Sequence, residues 1–367
     1  MKTQKKAQRK VLWSIITLAL AVLTVFLVFK SSGMTLAQLG EVLKSADKKW
    51  LLPAALVSLG MVFFEGQAVL VILRRAGYRQ RQHRGFIYAA ADCYFSAITP
   101  SATGGQPASA FFMVMDGVPP AVTTACLLAN LVMYNGAILT IGILCILFRS
   151  DLFFHFQPGC QLLIVLGIVV LAVMGLIFFG LLWRQQILSK ILTALIRFLA
   201  RIKLMRHPER WEERLRLAMI EYKACVDLLS GSKSVWILAF LFNLLQRFCQ
   251  FMVTVLVGLA IGVGSSLSDL IDLWATQCFV SLGANCVPIP GSMGVTDYLM
   301  LDGYLNLMDK QSAYELQILT RGLSFYFTVL FSGAVVLVAY LLLRKKKPGE
   351  MPKERDDHGS NSDKQAD

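Results

Sequence analysis

Charged residues are scarce in this sequence, and the motifs of common soluble enzymes are missing from it. Only 16% of the 367 residues are charged, 56% are hydrophobic and the mean hydropathy is +0.60. None of the four histidines has a ligand-like spacing, the eight cysteines include no CxxC pair, and no GxGxxG, P-loop or GxSxG motif occurs. The sequence therefore argues against a water-soluble enzyme and predicts no disulfide framework, no metal site and no cofactor.

The net charge of +13 comes from basic residues that lie in short blocks between long apolar runs. A nucleic-acid-binding protein would instead carry a basic stripe along one face. Apolar runs that alternate with basic blocks are typical of a protein that crosses a membrane several times, so we expect a membrane partner and no nucleic acid.

Six apolar runs are long enough to cross a bilayer as helices, which rise about 1.5 Å per residue. They are residues 11–29, 50–73, 120–148, 162–183, 235–261 and 316–343. A cleaved signal peptide is the alternative for the first run. Because no convincing small-residue cleavage site follows it, we interpret this run as an anchor.

Two further apolar segments, residues 86–115 and 270–308, are interrupted near the middle by proline and glycine, so neither can be a plain helix. The positive-inside rule makes the basic blocks cytoplasmic, and an even number of crossings must separate any two of them. The first broken segment is then expected to enter and leave from the cytoplasm, and the second from outside. The basic blocks are residues 1–10, 74–84, 184–216 and 344–347.

The order helix, helix, hairpin, helix thus occurs twice, in opposite orientations. We predict an all-α polytopic membrane protein with six full transmembrane helices plus two opposed re-entrant hairpins in an inverted repeat, a plan common among transporters. The predicted parts are a first membrane repeat (1–183), a cytoplasmic linker of two amphipathic helices suited to an anionic lipid surface (184–232), a second repeat (233–343) and a disordered cytoplasmic tail (344–367).

The first break, residues 92–107, reads DCYFSAITPSATGGQP. Backbone amides that such a break frees need partners at membrane depth, and a phosphate or carboxylate is a good partner. The alternative is that hydroxyl groups satisfy the loop internally. We favour a ligand-facing role because two such breaks occur at matching positions. The candidate residues are Asp92, Thr99, Pro100, Thr103, Gly104, Gly105 and Gln106.

The second break, residues 285–297, reads NCVPIPGSMGVTD. Its prolines stop one half-helix and its glycines permit the turn. The carboxylate that follows has two open roles: a charge at a helix N-terminus, or an intramembrane carboxylate that binds a cationic headgroup or a proton. The candidate residues are Pro288, Pro290, Gly291, Gly294 and Asp297.

Three isolated charges lie within or beside predicted spans, where a charge usually faces a partner or a wet cavity. Glu65 and Arg247 occupy equivalent helices of the repeat, so a structural salt bridge is the simpler interpretation, and we prefer it for Glu65. For Arg321 we prefer a headgroup-binding role. The alternative is that Arg321 pairs with Asp297 or Asp302 to hold the fold.

At these motifs the sequence resembles the membrane part of the lysylphosphatidylglycerol synthase/flippase family, which includes the bacterial multiple peptide resistance factors. The matching stretches are residues 99–107, residues 288–294 with an acidic residue after them, and Arg321. Relatives often have Glu where this chain has Asp297. The resemblance implies lipid handling linked to envelope charge and to resistance against cationic peptides. Full-length relatives carry a soluble aminoacyl-transferase domain, and the polar tail here leaves no room for one.

We therefore predict a flippase-like translocator of aminoacylated or other modified phospholipids in the bacterial cell membrane, with both termini cytoplasmic. Its expected partners are the phospholipid substrate and the anionic membrane surface, and a homodimer is compatible with this prediction. One alternative is a membrane-embedded enzyme of the phosphatidylglycerol lysyltransferase family, with Asp92, Glu65 or Asp297 as acid or base. Another is a transporter of small solutes or ions. We assign no catalytic residue, because no paired nucleophile and base is found.

Overall fold

The computed structural model describes residues 36–201, 208–264, 266–287 and 289–345. The predicted first span at residues 11–29, Pro288 and the predicted tail beyond residue 345 lie outside these ranges. Within them the chain forms helices and connecting turns and no strand. The prediction of an all-α polytopic membrane protein is confirmed.

The helices follow one another in a simple order along the chain. They are α1 (Leu36–Ser45), α2 (Lys48–Arg75), α3 (Gln82–Ile98), α4 (Gly105–Met115), α5 (Pro120–Phe148), α6 (Ser150–His155), α7 (Pro158–Trp183), α8 (Gln185–Arg201), α9 (Pro208–Ser230), α10 (Lys233–Ala260), α11 (Leu267–Ala284), α12 (Val295–Leu305), α13 (Lys310–Arg321) and α14 (Thr328–Lys345). A π-helical turn, Gly322–Phe327, joins α13 to α14 without a break.

Five helical stretches in the described residues are long and apolar enough to cross a membrane: Lys48–Arg75, Pro120–Phe148, Pro158–Trp183, Lys233–Ala260 and Lys310–Leu342. They coincide with the five predicted spans that follow the first. Local sequence explains several of their starts. Prolines occupy the first turn of α5 and α7, where their missing N–H groups leave no helical hydrogen bond unmade. Asp47 caps α2, because its side chain accepts a hydrogen bond from the Lys49 backbone N–H.

Each broken segment folds into a pair of antiparallel helices. In the first, α3 and α4 pack side by side, and Arg84 of α3 forms an ion pair of 2.8 Å with Asp116 at the end of α4. The Tyr88 hydroxyl donates to the same carboxylate at 2.7 Å. In the second, α11 and α12 pack in the same way, and the Tyr304 hydroxyl donates to Gln277 Oε1 at 2.7 Å. Both broken segments are therefore helical hairpins.

The two halves of the chain repeat with a constant offset of 190 residues around the hairpins. The 3₁₀ turn Pro100–Ala102 corresponds to Pro290–Ser292, and α4 corresponds to α12, with 11 residues in each. The following helices begin at Pro120 and Lys310, which keep the same offset. The faint repeat predicted from hydropathy is thus a repeat of backbone structure.

The two repeats run in opposite directions, as their equivalent helices α2 and α10 demonstrate. The start of α2 meets the end of α10, where the Asp47 N–H donates to the Ala260 carbonyl at 2.8 Å. Further along, Gly60 lies against Cys249 and Glu65 against Gln246. The helices are therefore antiparallel over most of their length, which is the geometry of an inverted repeat.

Two helices, α8 and α9, connect the halves. The first, α8, exposes an apolar row formed by Ile187, Ile191, Leu195 and Phe198, with basic residues interspersed. The second, α9, packs against α5, and its Tyr222 hydroxyl donates to the Leu181 carbonyl of α7 at 3.0 Å. The linker is thereby fixed to the helical core, while α8 keeps an amphipathic surface.

Candidate functional site

The two hairpins touch at their tips, so the broken parts of both repeats meet in one place. Both tips hold left-handed backbone: φ is 53° at Ser101 and at Ala102 in the first, and 60° at Gly291 and 48° at Ser292 in the second. Only one of these four positions is glycine. Residues with side chains rarely adopt this conformation, and such strain clusters at ligand sites and switch regions.

The threonines of the first tip are engaged within the loop. Thr99 Oγ1 donates to the Phe95 carbonyl at 2.6 Å and accepts from the Gly104 N–H at 2.8 Å. Thr103 Oγ1 donates to the Pro100 carbonyl at 3.0 Å within the same exposed turn. These contacts match the internal alternative considered for the break, and they leave the acidic and amide groups of the hairpin as the better ligand candidates.

Asp92 of α3 lies against the start of α4 in the first hairpin. Its Oδ1 accepts from the Ser96 hydroxyl at 2.8 Å, and its Oδ2 accepts from Gln106 Nε2. A Cβ atom at Gly105 would collide with Asp92 Oδ1 and with Ser96 Oγ. Glycine is required at position 105 because the carboxylate occupies the space of a side chain. Asp92, Gly105 and Gln106 therefore form one unit.

Glu65 faces Asp92 from the neighbouring helix α2. Gln246 Nε2 of α10 donates to Glu65 Oε2 at 2.9 Å, and Glu65 and Asp92 lie close enough to interact electrostatically. Arg247 lies nearby and is only 4% exposed, with its guanidinium carbon 4.0 Å from the centre of the Tyr134 ring.

The structure corrects the expected salt bridge between Glu65 and Arg247. In the part of the chain described, Glu65 forms no ion pair with Arg247 within 4.0 Å, and its hydrogen-bond donor is Gln246. Arg247 instead stacks on an aromatic ring and donates to Gln250 Oε1. The sequence did not indicate Gln246 as a partner of Glu65, because an uncharged residue in an apolar run carries no pattern that identifies its hydrogen-bond partner.

Asp297 of the second hairpin fills the helix-terminal role that the sequence left open. Its Oδ2 accepts from the Gly294 N–H at 3.0 Å, at the start of α12, where φ of Gly294 is 79°. Its Oδ1 lies 3.0 Å from Arg321 Nε. The other partner considered for Arg321, Asp302, accepts from the Gln157 N–H at 2.9 Å instead. One carboxylate therefore both caps a helix and pairs with Arg321.

Arg321 is buried but incompletely satisfied. The residue is 5% exposed, and its guanidinium carbon lies 4.7 Å from the centre of the Phe325 ring. Among the described residues Nη2 has no hydrogen-bond partner, and Nε faces Asp297 without an aligned hydrogen bond. The same Phe325 ring packs where a Cβ atom of Gly291 would lie. Arg321 thus sits next to the tip of the second hairpin.

The π-helical turn Gly322–Phe327 follows Arg321 directly. Turns of this kind are rare within helices and are frequent at functional sites. The prediction of one plain apolar helix over residues 316–343 did not contain it, because hydropathy reports composition and not the hydrogen-bond register. The turn locally changes the direction in which successive side chains project, next to the arginine.

An apolar groove of about 290 Å³ runs between α3 and α14. Ile87 of α3 and Phe331 and Val335 of α14 line it, and polar atoms contribute nothing to its lining. Val338 and Leu342, also in its lining, are 55% and 60% exposed, so the groove lies on the apolar outer surface. It therefore joins the first hairpin to the helix that continues from Arg321.

No metal centre is found among the described residues: no group of three or more His, Cys, Asp or Glu side chains could hold an ion. Of the predicted binding residues, Asp92, Gly105, Gln106 and Glu65 come together in one cluster. The second set, Gly291, Gly294, Asp297 and Arg321, forms a separate cluster at the second hairpin, in which Pro290 begins the turn.

A family model described as the lysylphosphatidylglycerol synthase TM region matches residues 14–332. The chain belongs to this family. No curated protein and no solved structure matches it. The match spans both hairpins and Arg321. It also includes Ile87 and Phe331 of the groove, whose other lining residues follow residue 332. Membership favours a lipid-related function in a multi-pass membrane protein.

Proposed function

We propose that this protein is a flippase-like translocator that moves an aminoacylated or other modified phospholipid between the two leaflets of the membrane. The observation that carries the proposal is Arg321, a buried cation whose Nε forms an ion pair with Asp297 while its Nη2 has no hydrogen-bond partner among the described residues. A planar guanidinium can hold two phosphate oxygens at once, and every phospholipid headgroup carries a phosphate. Asp297 beside it provides a carboxylate for a cationic group on the same headgroup.

The groove between α3 and α14 supports a lipid over a small solute. A phospholipid needs a path for its acyl chains along the side of the protein, whereas a polar solute needs an enclosed aqueous route. The fully apolar lining of this groove suits an acyl chain, and its place beside the first hairpin suits a lipid whose headgroup is held at the tips.

The repeat architecture supports transport over catalysis. Two inverted repeats with broken segments meeting near the middle are a common basis for alternating access. Against the enzymatic alternative, Glu65 accepts from Gln246 and Asp297 caps a helix, so both acids have structural partners. Asp92 does contact a hydroxyl group, that of Ser96, but it also accepts from Gln106, which holds it within the hairpin.

The test is leaflet movement in reconstituted vesicles. The purified protein is inserted into vesicles that contain headgroup-labelled phosphatidylglycerol or its lysyl derivative, and the label exposed on the outer face is measured with time. We expect movement with the protein, a loss of roughly ten-fold or more in Arg321→Gln, and no change in Arg74→Gln, a matched change of an exposed arginine. Vesicles that move neither lipid, or that accumulate a labelled amino acid instead, would contradict the proposal.

A further inference from the structure

The linker helix α8 begins at the point where the span α7 ends. Arg184, the single residue between the two helices, has a ψ of 71°, so the helix is interrupted there. The ring centre of Trp183, the last residue of α7, lies 5.2 Å from that of Trp236 in the first turn of α10. Tryptophan is enriched where spans meet the membrane–water interface. The start of α8 is therefore at the level of this interface, on the side that the basic residues make cytoplasmic.

One side of α8 is apolar and remains exposed in the described part of the chain. It is formed by Ile187, Ile191, Leu195 and Phe198, which are between 42% and 58% exposed. Their spacing of four, four and three residues places them in one row along the helix. A row of large apolar side chains on a helix that leaves a span is suited to the acyl region of the bilayer and not to water.

A cavity of about 670 Å³ lies beside this apolar row. Three cations and two hydroxyl groups line it: Lys190, Arg197, Arg201, Ser189 and Thr193. The cations follow one another at seven and four residues, so they share one side of the helix, about a quarter of a turn away from the apolar row. No acidic residue belongs to the described lining. Cationic and hydroxyl donors without a carboxylate are suited to an anion that carries several oxygen atoms.

The charge of this basic row is only partly balanced by neighbouring acids. Arg197 Nε forms an ion pair of 3.0 Å with Glu212 of α9, whereas Lys190 and Arg201 form no ion pair with a described residue. On a helix surrounded by water, such cations would simply be hydrated. Here Phe198 belongs to the apolar row and also lines the cavity, so the two surfaces are continuous. The ligand that matches both surfaces has an anionic group beside an apolar chain, which describes an anionic phospholipid.

We propose that α8 lies in the cytoplasmic interface of the membrane and binds the phosphate of an anionic phospholipid at its basic row. Lys190 and Arg201 supply the charges, the hydroxyl groups of the cavity supply further donors, and the apolar row lies among the acyl chains. This site is on the linker and not at the hairpin tips, so it is separate from Arg321. The bound lipid is then one that holds the linker on the membrane, whichever lipid the protein moves.

Amide hydrogen exchange in lipid nanodiscs tests this site without any transport assay. The full-length protein is placed in nanodiscs of phosphatidylcholine, with or without phosphatidylglycerol, and exchange is measured over residues 187–201. We expect phosphatidylglycerol to slow exchange several-fold in the wild type, and this difference to disappear in the double variant Lys190→Gln/Arg201→Gln. The double variant Arg210→Gln/Lys223→Gln is the matched control, because it removes the same two residue types from exposed positions of α9. It should retain the difference.

Two further arms identify the source of the phosphate and separate this site from the hairpin tips. Glycerophosphate dissolved around phosphatidylcholine nanodiscs should not slow exchange over residues 187–201, and Arg321→Gln should leave the effect of phosphatidylglycerol unchanged. Equal exchange with and without phosphatidylglycerol would overturn the proposal, as would protection that survives in Lys190→Gln/Arg201→Gln. Protection by glycerophosphate alone would mean a site for a soluble phosphate, and loss of protection in Arg321→Gln would mean an indirect effect of the tips. Either result would also overturn it.

Discussion

The two hairpins share a backbone but differ in their chemistry. Each has a proline-led 3₁₀ turn with left-handed residues, an 11-residue second helix and the same spacing to the next helix. Yet 190 positions after Asp92 stands Leu282, and 190 positions before Asp297 stands Pro107. The backbone break is therefore common to both repeats, while the charged groups are not.

The difference between the hairpins separates two roles. In the first, Asp92 accepts hydrogen bonds from Ser96 and Gln106 and forms no ion pair within the described residues. In the second, the acid is paired with an arginine that still has unsatisfied nitrogens. Under the proposed function, the second hairpin therefore supplies the cation for a phosphate, and the first has no equivalent cation at its tip. Four experiments test this comparison.

The largest expected effect concerns the sides from which the tips are reached. Ser101→Cys and Ser292→Cys each place one new thiol at the tip of a hairpin. A thiol reagent then reports from which side of the membrane each tip can be reached. We expect a membrane-impermeant thiol reagent to label position 101 only from the cytoplasmic side and position 292 only from outside, because the charge parity of the basic blocks assigns these sides. The unsubstituted protein, with its own eight cysteines, gives the background. Labelling of both from one face would end the inverted-repeat interpretation.

The next effect comes from filling the space at each tip. Gly105→Val would push a side chain into Asp92 and Ser96, and Gly291→Val would meet the Phe325 ring at a φ of 60°. We expect both to abolish lipid movement, with a cost of about 1–3 kcal/mol or more from overpacking. Gly180→Ala is the matched control, since nothing lies within 4 Å of its new atom. Normal movement in both valine variants would show that the breaks serve only packing.

The sequence predicts those features of the fold and the site that depend on neighbouring residues, and it does not predict contacts between distant parts of the chain. Proline, glycine and apolar runs act locally, so they predicted the five described spans, both breaks and the two linker helices. The hydrogen bonds of Glu65 with Gln246 and of Asp92 with Gln106 join different helices, and no local rule encodes them. The same holds for Gln246 and for the groove, while the π-helical turn after Arg321 changes hydrogen-bond register without changing composition. Sequence thus located the tips and named Asp297 as one possible partner of Arg321, but it did not indicate the partners of Glu65 and Asp92.

A smaller effect distinguishes the two functions possible for Arg321. Arg321→Lys keeps the charge near Asp297 but loses the second donor direction, so we expect lipid movement to fall several-fold with the yield of folded protein unchanged. If the residue only holds the fold, Arg321→Gln should instead lower the folded yield before it alters the dependence on headgroup. Wild-type movement by a stable Arg321→Gln protein would remove this residue from the site.

The smallest effect concerns the helices that follow the hairpins. In the first repeat α5 begins with proline, whereas in the second Asp309 caps α13: its side chain accepts from the Ser312 N–H at 3.1 Å and from the Ser312 hydroxyl at 2.8 Å. These bonds hold the pKa of the Asp309 carboxyl below its ordinary value. A lowered folded-state pKa means that the stabilisation is complete above the ordinary value and is lost as the pH falls through the lowered one.

Acidification should therefore loosen the start of α13 and leave the start of α5 unchanged. Amide hydrogen exchange over residues 310–313 and 120–123, measured with the intrinsic pH effect on exchange removed, compares the two directly. We expect Asp309→Ala to raise amide exchange over residues 310–313 at neutral pH. The variant should also lose the extra response of these residues to acid, because an alanine side chain offers no carboxylate that caps the helix and can be protonated. Equal pH responses in both stretches would show that this carboxylate does not distinguish the repeats, and the asymmetry would then be confined to the hairpins themselves.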